Sequence, residues 1–266
     1  MGDSRERKLA FPASGTHPVT FSFGKGHGLR YNSPMNKGAI ILFSGGIDST
    51  TALYWARNKF DPVRALVFDY GQQHRVEVAM AKKVAAAIGV DCDVVPLPLR
   101  GLLRSALLDD VRPIPGSLAE SRGLPGLPPT YVPFRNGIFL ALAAAVAESH
   151  GSRHLVTGFN SIDTPDYPDT SERFSRKMAA AINEGTAAVR GGPRFKVHAP
   201  LVRLSKKEII ALGFELGADY SHSVSCYRGS EVPCGRCPSC DIRARAFAEL
   251  GRTDPLIERL GREGKI

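Results

Sequence analysis

The stretch ILFSGGIDSTTAL, residues 41–53, decides how the whole chain is interpreted. A short apolar run ends at Ser44, Gly45 and Gly46 follow, and a helical pattern opens near Asp48. Glycines let the backbone turn sharply and approach an anion closely, and the free N–H groups at the start of a helix point to the same place. The stretch therefore predicts a phosphate-binding loop between a buried strand and a helix.

The side chains of this loop indicate its chemistry. The hydroxyls of Ser44, Ser49 and Thr50 can donate to phosphate oxygens, and a carboxylate such as Asp48 suits this place if Mg²⁺ lies between it and the phosphates. The loop has no lysine, which a loop that serves phosphoryl transfer requires. It can instead hold a pyrophosphate that leaves when the α-phosphorus of ATP is attacked, so the pattern favours adenylation. The alternative is a plain strand–turn–helix in which Ser and Asp are helix caps.

Length and composition exclude several classes of protein. The chain has 266 residues, 43% of them hydrophobic and 23% charged, which is enough for one large domain with an appendage. We find no apolar run of about 18 residues that could span a membrane and no secretion signal, so we expect a cytoplasmic protein. The net charge of +9 suits anionic partners, but no basic run is interleaved with aromatic residues, and solubility is the simpler explanation.

Short apolar runs alternate with helical periodicity after residue 37. Strands are predicted at 39–43, 64–68, 93–97, 154–159 and 196–200, and helices at 49–58, 72–88, 136–149, 172–184, 205–217, 239–250 and 254–261. Apolar strands linked by helices indicate an α/β fold, a five-stranded parallel sheet with helices on both faces. The Pro-rich segment 111–133 is predicted to be an irregular loop. The predicted domains are an N-terminal extension (1–37), the α/β domain (38–219) and a small helical subdomain (220–266).

Four of the five cysteines lie within fifteen residues, in the segment CYRGSEVPCGRCPSC. Their C-x7-C-x2-C-x2-C spacing is typical of a zinc site formed by Cys226, Cys234, Cys237 and Cys240. Four thiolates leave no open position for water, so the predicted zinc is structural. The fifth, Cys92, begins an apolar strand and is interpreted as a small core residue.

Polar side chains also follow the second predicted strand and open a later helix. The carboxyl ends of parallel strands are where such sheets bind ligands, so we expect Tyr70, Gln72 and His74, in FDYGQQH (68–74), to face the nucleotide. A cap contact at the next helix is an equal alternative for His74. In YVPFRN (131–136), Arg135 and Asn136 are expected to face an anion or a nucleobase edge, or Asn136 is a helix cap.

An acidic segment follows the fourth predicted strand. GFNSIDTPDYPD (158–169) contains Asp163, Asp166, Tyr167 and Asp169. Carboxylates beside a phosphate loop suit a second Mg²⁺ contact or substrate recognition. A solvated acidic turn is the alternative.

Taken together, these motifs resemble a known family. SGGIDS (44–49) resembles the PP-loop of N-type ATP pyrophosphatases, and its combination with the four later motifs, in this order, resembles the 7-cyano-7-deazaguanine synthase (QueC) family. The resemblance implies ATP, Mg²⁺, one structural Zn²⁺ and a homodimer. It implies that 7-carboxy-7-deazaguanine is adenylated, that ammonia gives the amide, and that a second adenylation leads to the nitrile. Asp48, Arg135 and Asp163 are the implied catalytic residues.

Several positions depart from the usual pattern of that family. Ile47, Phe134 and Thr170-Ser171 are such departures, and most lie in the substrate half of the implied site. The alternative is therefore a QueC-like enzyme of an anti-phage system that joins the deazaguanine to an amine of an acidic partner protein. We weigh tRNA thiolation lower because it needs a sulfur-carrying cysteine or an iron–sulfur cluster. A non-enzymatic, RNA-binding zinc ribbon is a further alternative. The intact phosphate loop argues against it, because such a protein does not need one.

Overall fold

Strand β1 (Ala39–Leu42), which leads into the phosphate loop, lies at the centre of a parallel sheet. In the computed structural model, residues 37–73, 76–109, 112–124, 126–160 and 166–266 are described. The sheet contains β2 (Val63–Asp69), β3 (Asp91–Pro96), β4 (His154–Val156) and β5 (Lys196–His198), in the order β3-β2-β1-β4-β5. All four pairings are parallel, which confirms the predicted fold class.

Eight α-helices connect or follow the strands in the described residues. They are α1 (Ile47–Arg57), α2 (Val76–Ala87), α3 (Leu118–Gly123), α4 (Arg135–Ser149), α5 (Glu172–Glu184), α6 (Lys206–Glu215), α7 (Pro238–Glu249) and α8 (Pro255–Arg262). Two short 3₁₀ helices span Pro168–Thr170 and Ala187–Arg190. None of these helices combines the length and apolar character that a bilayer crossing needs.

Alternate residues of β1 enter two different hydrophobic clusters. Ala39 and Ile41 pack with residues of α1, α2 and α6, whereas Ile40 and Leu42 pack with residues of α4. Every residue of β1 is buried, because helices cover both faces of the sheet. The C-terminal segment is not remote from this core, since Phe247 of α7 lies in the same cluster as Ile41.

Most predicted elements are present, with three informative differences. The predicted helix 72–88 corresponds to α2, described from Val76 to Ala87, whereas Gln73 lies in a loop and its side-chain amide donates to the Asp109 carbonyl (2.7 Å). The loop 111–133 contains α3, which was not predicted. Ser117 caps this helix by accepting a bond from the Glu120 N–H (3.1 Å), and the Ser-x-x-Glu pattern was the signal for it.

The third difference concerns β3, which begins two residues earlier than the prediction. Asp91 and Asp93 are exposed on this edge strand and form ion pairs with Arg64 of β2, at 3.0 and 2.7 Å. Charged residues on an edge strand interrupt the apolar pattern that sequence analysis uses. Cys92 lies between them, half-buried against the core, in agreement with its prediction as a small packing residue.

Candidate functional site

A cavity of about 260 Å³ opens at the carboxyl edge of the sheet. Its walls come from the phosphate loop, the ends of β2 and β4, the first turns of α4 and α6, and residues 224–227 and 239–243. Eight of the predicted site residues line it, namely Ser44, Gly46, Asp48, Ser49, Tyr70, Arg135, Asn136 and Tyr167. The predicted nucleotide and substrate residues therefore meet in one cavity.

The phosphate loop is closed by its own hydroxyl groups. The Ser44 N–H donates to the Ser49 hydroxyl (3.2 Å), and that hydroxyl donates to the Gly46 carbonyl (3.2 Å). Gly45 has φ 77°, and a β-carbon there would lie 2.9 Å from atoms of Ala81 in α2. The loop thus needs glycine at Gly45 both for its backbone angle and for the approach of α2.

Asp48 is held by a lysine that comes from a distant helix. Lys206 Nζ lies 2.6 Å from both carboxylate oxygens, and the Asn160 side-chain amide donates to Oδ2 (3.1 Å). Lys206 is the first residue of α6, whose capping box is formed by Ser205 and Glu208. The phosphate loop has no lysine of its own, but Lys206 reaches it from α6.

Tyr70 and Arg135 form a second polar pair in the cavity. Arg135 Nη1 donates to the Tyr70 hydroxyl (3.2 Å), and the guanidinium lies 5.6 Å from the centre of the Tyr70 ring. Burial raises the pKa of Tyr70 to about 12, so its hydroxyl keeps its proton at neutral pH. No carboxylate of the described residues forms an ion pair with Arg135, whose buried Nε also lacks a hydrogen-bond partner among them. The cavity therefore contains a cation suited to an anionic ligand.

Asp169 stabilises the start of α4. Its Oδ2 accepts the Asn136 backbone N–H (2.9 Å), while its buried Oδ1 has no hydrogen-bond partner in the described part of the chain. The N-cap residue of α4 is Phe134, so Asn136 is not the cap that sequence analysis left open. Phe134 has φ 53° and is the one non-glycine residue with positive φ in the described ranges.

Other predicted site residues lie beside the cavity or outside the described residues. Thr50 is fully buried inside α1, and the Gln72 side chain is used by the loop after β2, where it accepts the Tyr70 N–H (2.8 Å). Asp166 does not line the cavity. His74 and Asp163 lie outside the described residues, as does nearly all of the predicted extension 1–37.

Sequence analysis missed several cavity residues. Glu77 lines the cavity and accepts a bond from Gln72 Nε2 (3.0 Å). The others are Lys206, Ser225, Tyr227 and Arg243. They come from the chain beyond the fifth strand, where no local pattern connects them to a loop at residue 44.

The four clustered cysteines form a candidate metal centre, called here the four-cysteine set. Their sulfur atoms all lie within 4.8 Å of one another, and those of Cys234 and Cys240 are 3.9 Å apart. Zn–S bonds of about 2.3 Å in a tetrahedron place neighbouring sulfurs about 3.8 Å apart, so the geometry fits a closed tetrahedral site. The four-cysteine set can therefore hold one metal ion without an open position.

Comparison with known proteins identifies the family. The model of the queuosine biosynthesis protein QueC matches residues 38–251. The 7-cyano-7-deazaguanine synthase of Chromobacterium violaceum is 41% identical, over 88% of this chain and 99% of its own length. That of Myxococcus xanthus is 44% identical, over 83% and 97%. Among solved structures, the NMN synthetase of Francisella tularensis is 16% identical with a TM-score of 0.44, over 85% of this chain and 82% of its own.

The residues matched by the family model include both the cavity residues and the four-cysteine set. They include the phosphate loop, Tyr70, Arg135, Lys206 and all four clustered cysteines. Identities of about 40% over most of the chain make a common fold certain by the usual standards of sequence comparison. The chain belongs to the family of the queuosine biosynthesis protein QueC.

Proposed function

We propose that this protein is an ATP-dependent ligase that converts 7-carboxy-7-deazaguanine and ammonia into the amide and then into 7-cyano-7-deazaguanine. The observation that carries the proposal is one cavity that combines a phosphate loop with the cation of Arg135. Asp48 and Lys206 lie at the loop, and Arg135 lines the same cavity without a carboxylate partner among the described residues. ATP and a carboxylate substrate are both anions that such a cavity can bind.

The first step joins the substrate carboxylate to the α-phosphorus of ATP. A carboxylate oxygen attacks that phosphorus, the bond to the β-phosphate oxygen breaks, and pyrophosphate leaves. The N–H groups at the start of α1 and the Ser44 hydroxyl would hold pyrophosphate, joined by the Ser49 hydroxyl once it leaves the Gly46 carbonyl, and Lys206 would supply positive charge beside it. Bound Mg²⁺ would screen the phosphate charges, with Asp48 as the adjacent carboxylate.

Ammonia then displaces AMP from the acyl adenylate. Its nitrogen attacks the carbonyl carbon, the bond to the AMP oxygen breaks, and one proton passes to solvent. A second ATP activates the amide oxygen in the same way, and loss of AMP and protons leaves the nitrile. Arg135 is assigned to the substrate carboxylate and Asn136 and Tyr167 to the purine-like ring, because all three line the cavity. Asp163 stays a candidate for the same ring.

The four-cysteine set is proposed to hold a structural zinc ion. All four ligand positions are taken by protein sulfur, so the metal has no site for a water or a substrate. Nothing among the described residues favours a protein amine over ammonia as acceptor, and ammonia is therefore the nitrogen source that we propose.

The proposal is tested by mass spectrometry of the products formed from ATP, Mg²⁺, 7-carboxy-7-deazaguanine and an ammonium salt. We expect free 7-cyano-7-deazaguanine with AMP and pyrophosphate. ADP as the main nucleotide product would exclude adenylation. Accumulation of an adenylate or amide that is consumed only when a partner protein is added, and gains the mass of the base, would replace ammonia by a protein amine.

A further inference from the structure

One residue of the metal-binding segment faces the phosphate loop directly. A β-carbon placed on Gly46 would lie 3.4 Å from the Ser225 hydroxyl oxygen and 3.5 Å from that of Ser44. Two hydroxyls therefore flank the same point of the loop, one from the loop itself and one from the C-terminal segment. Ser225 lines the cavity and forms no hydrogen bond with any described residue, so its hydroxyl is available to a ligand.

Ser225 directly precedes Cys226, a member of the four-cysteine set. Its neighbour Cys226 is buried and belongs to the four-cysteine set, and its other neighbour Val224 packs in the hydrophobic cluster that contains the cysteines. The Cys234 N–H donates to Cys226 Sγ (3.4 Å), which links two members of the segment 226–240, called here the metal loop. The position of Ser225 is therefore tied to the geometry of the four-cysteine set.

Two arginines hold the same segment from the other side. Arg243 of α7 donates to the Ser223 carbonyl (2.7 Å), and Arg259 of α8 donates to the Ser221 carbonyl (2.7 Å). Both side chains are almost fully buried. With the carbonyls of residues 221 and 223 held by the two arginines and the Cys226 side chain held by Cys234, the backbone at Ser225 has little freedom to move away from the phosphate loop.

We propose that Ser225 is a further phosphate-binding residue, which completes the phosphate loop from outside, and that metal bound to the four-cysteine set raises nucleotide affinity by positioning it. This inference rests on the proposed use of ATP, and it assigns to the metal centre a role in binding as well as in folding. A hydroxyl that donates to a phosphate oxygen makes a charge-assisted hydrogen bond, which is stronger than a neutral one.

The test compares Ser225→Ala with Ser230→Ala by calorimetric titration of the metal-loaded full chain. Ser230 lies on the same metal loop but does not line the cavity, so it is the matched control. We expect Ser225→Ala to weaken the binding of ATP with Mg²⁺ about tenfold and to leave the binding of adenosine, the metal content and the melting temperature unchanged. Ser230→Ala should change neither affinity.

Removal of the metal tests whether metal binding and ATP binding are coupled. Chelation should weaken ATP binding more in the wild-type chain than in Ser225→Ala, because the variant has already lost the contact. Equal ATP affinity of wild type and Ser225→Ala, or an equal loss for ATP and adenosine, would overturn the inference while leaving the proposed function intact. A wild-type chain that does not bind ATP would overturn both.

Discussion

At the scale of single residues, Asp48 and Lys206 form a partly buried ion pair in the cavity. The Lys206 side chain is 13% exposed and the Asp48 side chain 23% exposed. Lys206 Nζ lies 2.6 Å from Asp48 Oδ1. Partial burial strengthens the attraction over that of a surface pair. We expect Lys206 to shift from the aspartate to an incoming phosphate, which carries more negative charge.

We expect Lys206→Met to lower kcat/KM for ATP about 100-fold, because removal of one donor that stabilises developing charge has an effect of that order. Steady-state kinetics with pyrophosphate release as readout measures it. Lys207→Met is the control, since Lys207 is the exposed neighbour and does not line the cavity. Equal kinetics for the two variants would show that the charge of Lys206 is not used.

Sequence analysis found one member of this pair and missed the other. Asp48 belongs to a motif that is recognised as a unit, whereas Lys206 is separated from it by 158 positions. The Ser205–Glu208 capping box marked the start of α6 but could not show which way the first side chain points. Contacts made by chain folding leave no trace in local patterns, and Ser225 was missed for the same reason.

The start of α4 illustrates a constraint at the scale of one element. Phe134 lies in the left-handed region with φ 53°, its ring packs edge-on against Phe174 (5.9 Å), and it is 53% exposed. A β-carbon on Gly137 would clash with the Phe134 ring, so glycine at 137 leaves room for the ring in this position. The helix that carries Arg135 and Asn136 thus begins at a strained residue.

We expect Phe134→Gly to be more stable than Phe134→Ala by about 1 kcal/mol, since alanine keeps the left-handed strain and glycine removes it. Both variants lose the ring contact equally, so their difference isolates the backbone. Chemical denaturation of the two variants measures the free energies of unfolding. If alanine were the more stable replacement, this backbone conformation would not be the one adopted in solution.

Strands β4 and β5 carry a pair of histidines with a pH-dependent contribution to stability. His154 Nδ1 lies 3.1 Å from His198 Nε2, and burial, together with the charges of His154 and Lys196, lowers the pKa of His198 to about 4. The neutral form is therefore favoured in the folded state, while the unfolded chain has a pKa of about 6.5. The contribution is complete above about pH 6.5 and is lost as the pH falls towards 4.

We expect His198→Asn to flatten the fall in the free energy of unfolding between about pH 6.5 and 4. The difference between variant and wild type is the quantity to measure, because protonation of the metal thiolates also destabilises both proteins at low pH. An unchanged slope in His198→Asn would contradict the assignment.

At the scale of the whole molecule, the C-terminal helices are connected both to the four-cysteine set and to the core beside the sheet. Cys237 is fully buried and is the N-cap residue of α7, and Phe247 of the same helix packs in the central core. The same segment supplies Ser225, Tyr227 and Arg243 to the cavity. The predicted boundary at residue 220 therefore separates two parts of the chain that share both a core and a site.

We expect Cys237→Ser to abolish binding of one metal ion per chain and to lower the free energy of unfolding by about 4 kcal/mol, as is typical when a structural metal is lost. Metal analysis and thermal unfolding with and without a chelator measure the two effects. Cys92→Ser changes the cysteine outside the set and should keep the metal. A metal-free Cys237→Ser chain with wild-type stability would show that the ion is not structural.

Sequence patterns accounted for the sheet, both helix layers and the four-cysteine set because each depends on periodicity or spacing within a short segment. They did not account for α3, the charged edge of β3 or the cavity wall formed by residues 224–227. These features depend on long-range packing, on capping in a Pro-rich loop and on ion pairs such as that of Arg64 with Asp93.

The most direct test of adenylation follows oxygen from the substrate. With 7-carboxy-7-deazaguanine labelled with ¹⁸O in both carboxylate positions, one labelled oxygen should pass to AMP in each of the two activation steps. We expect two singly labelled AMP molecules per nitrile formed, with no label in pyrophosphate. Unlabelled AMP, or label in inorganic phosphate together with ADP, would contradict attack on the α-phosphorus.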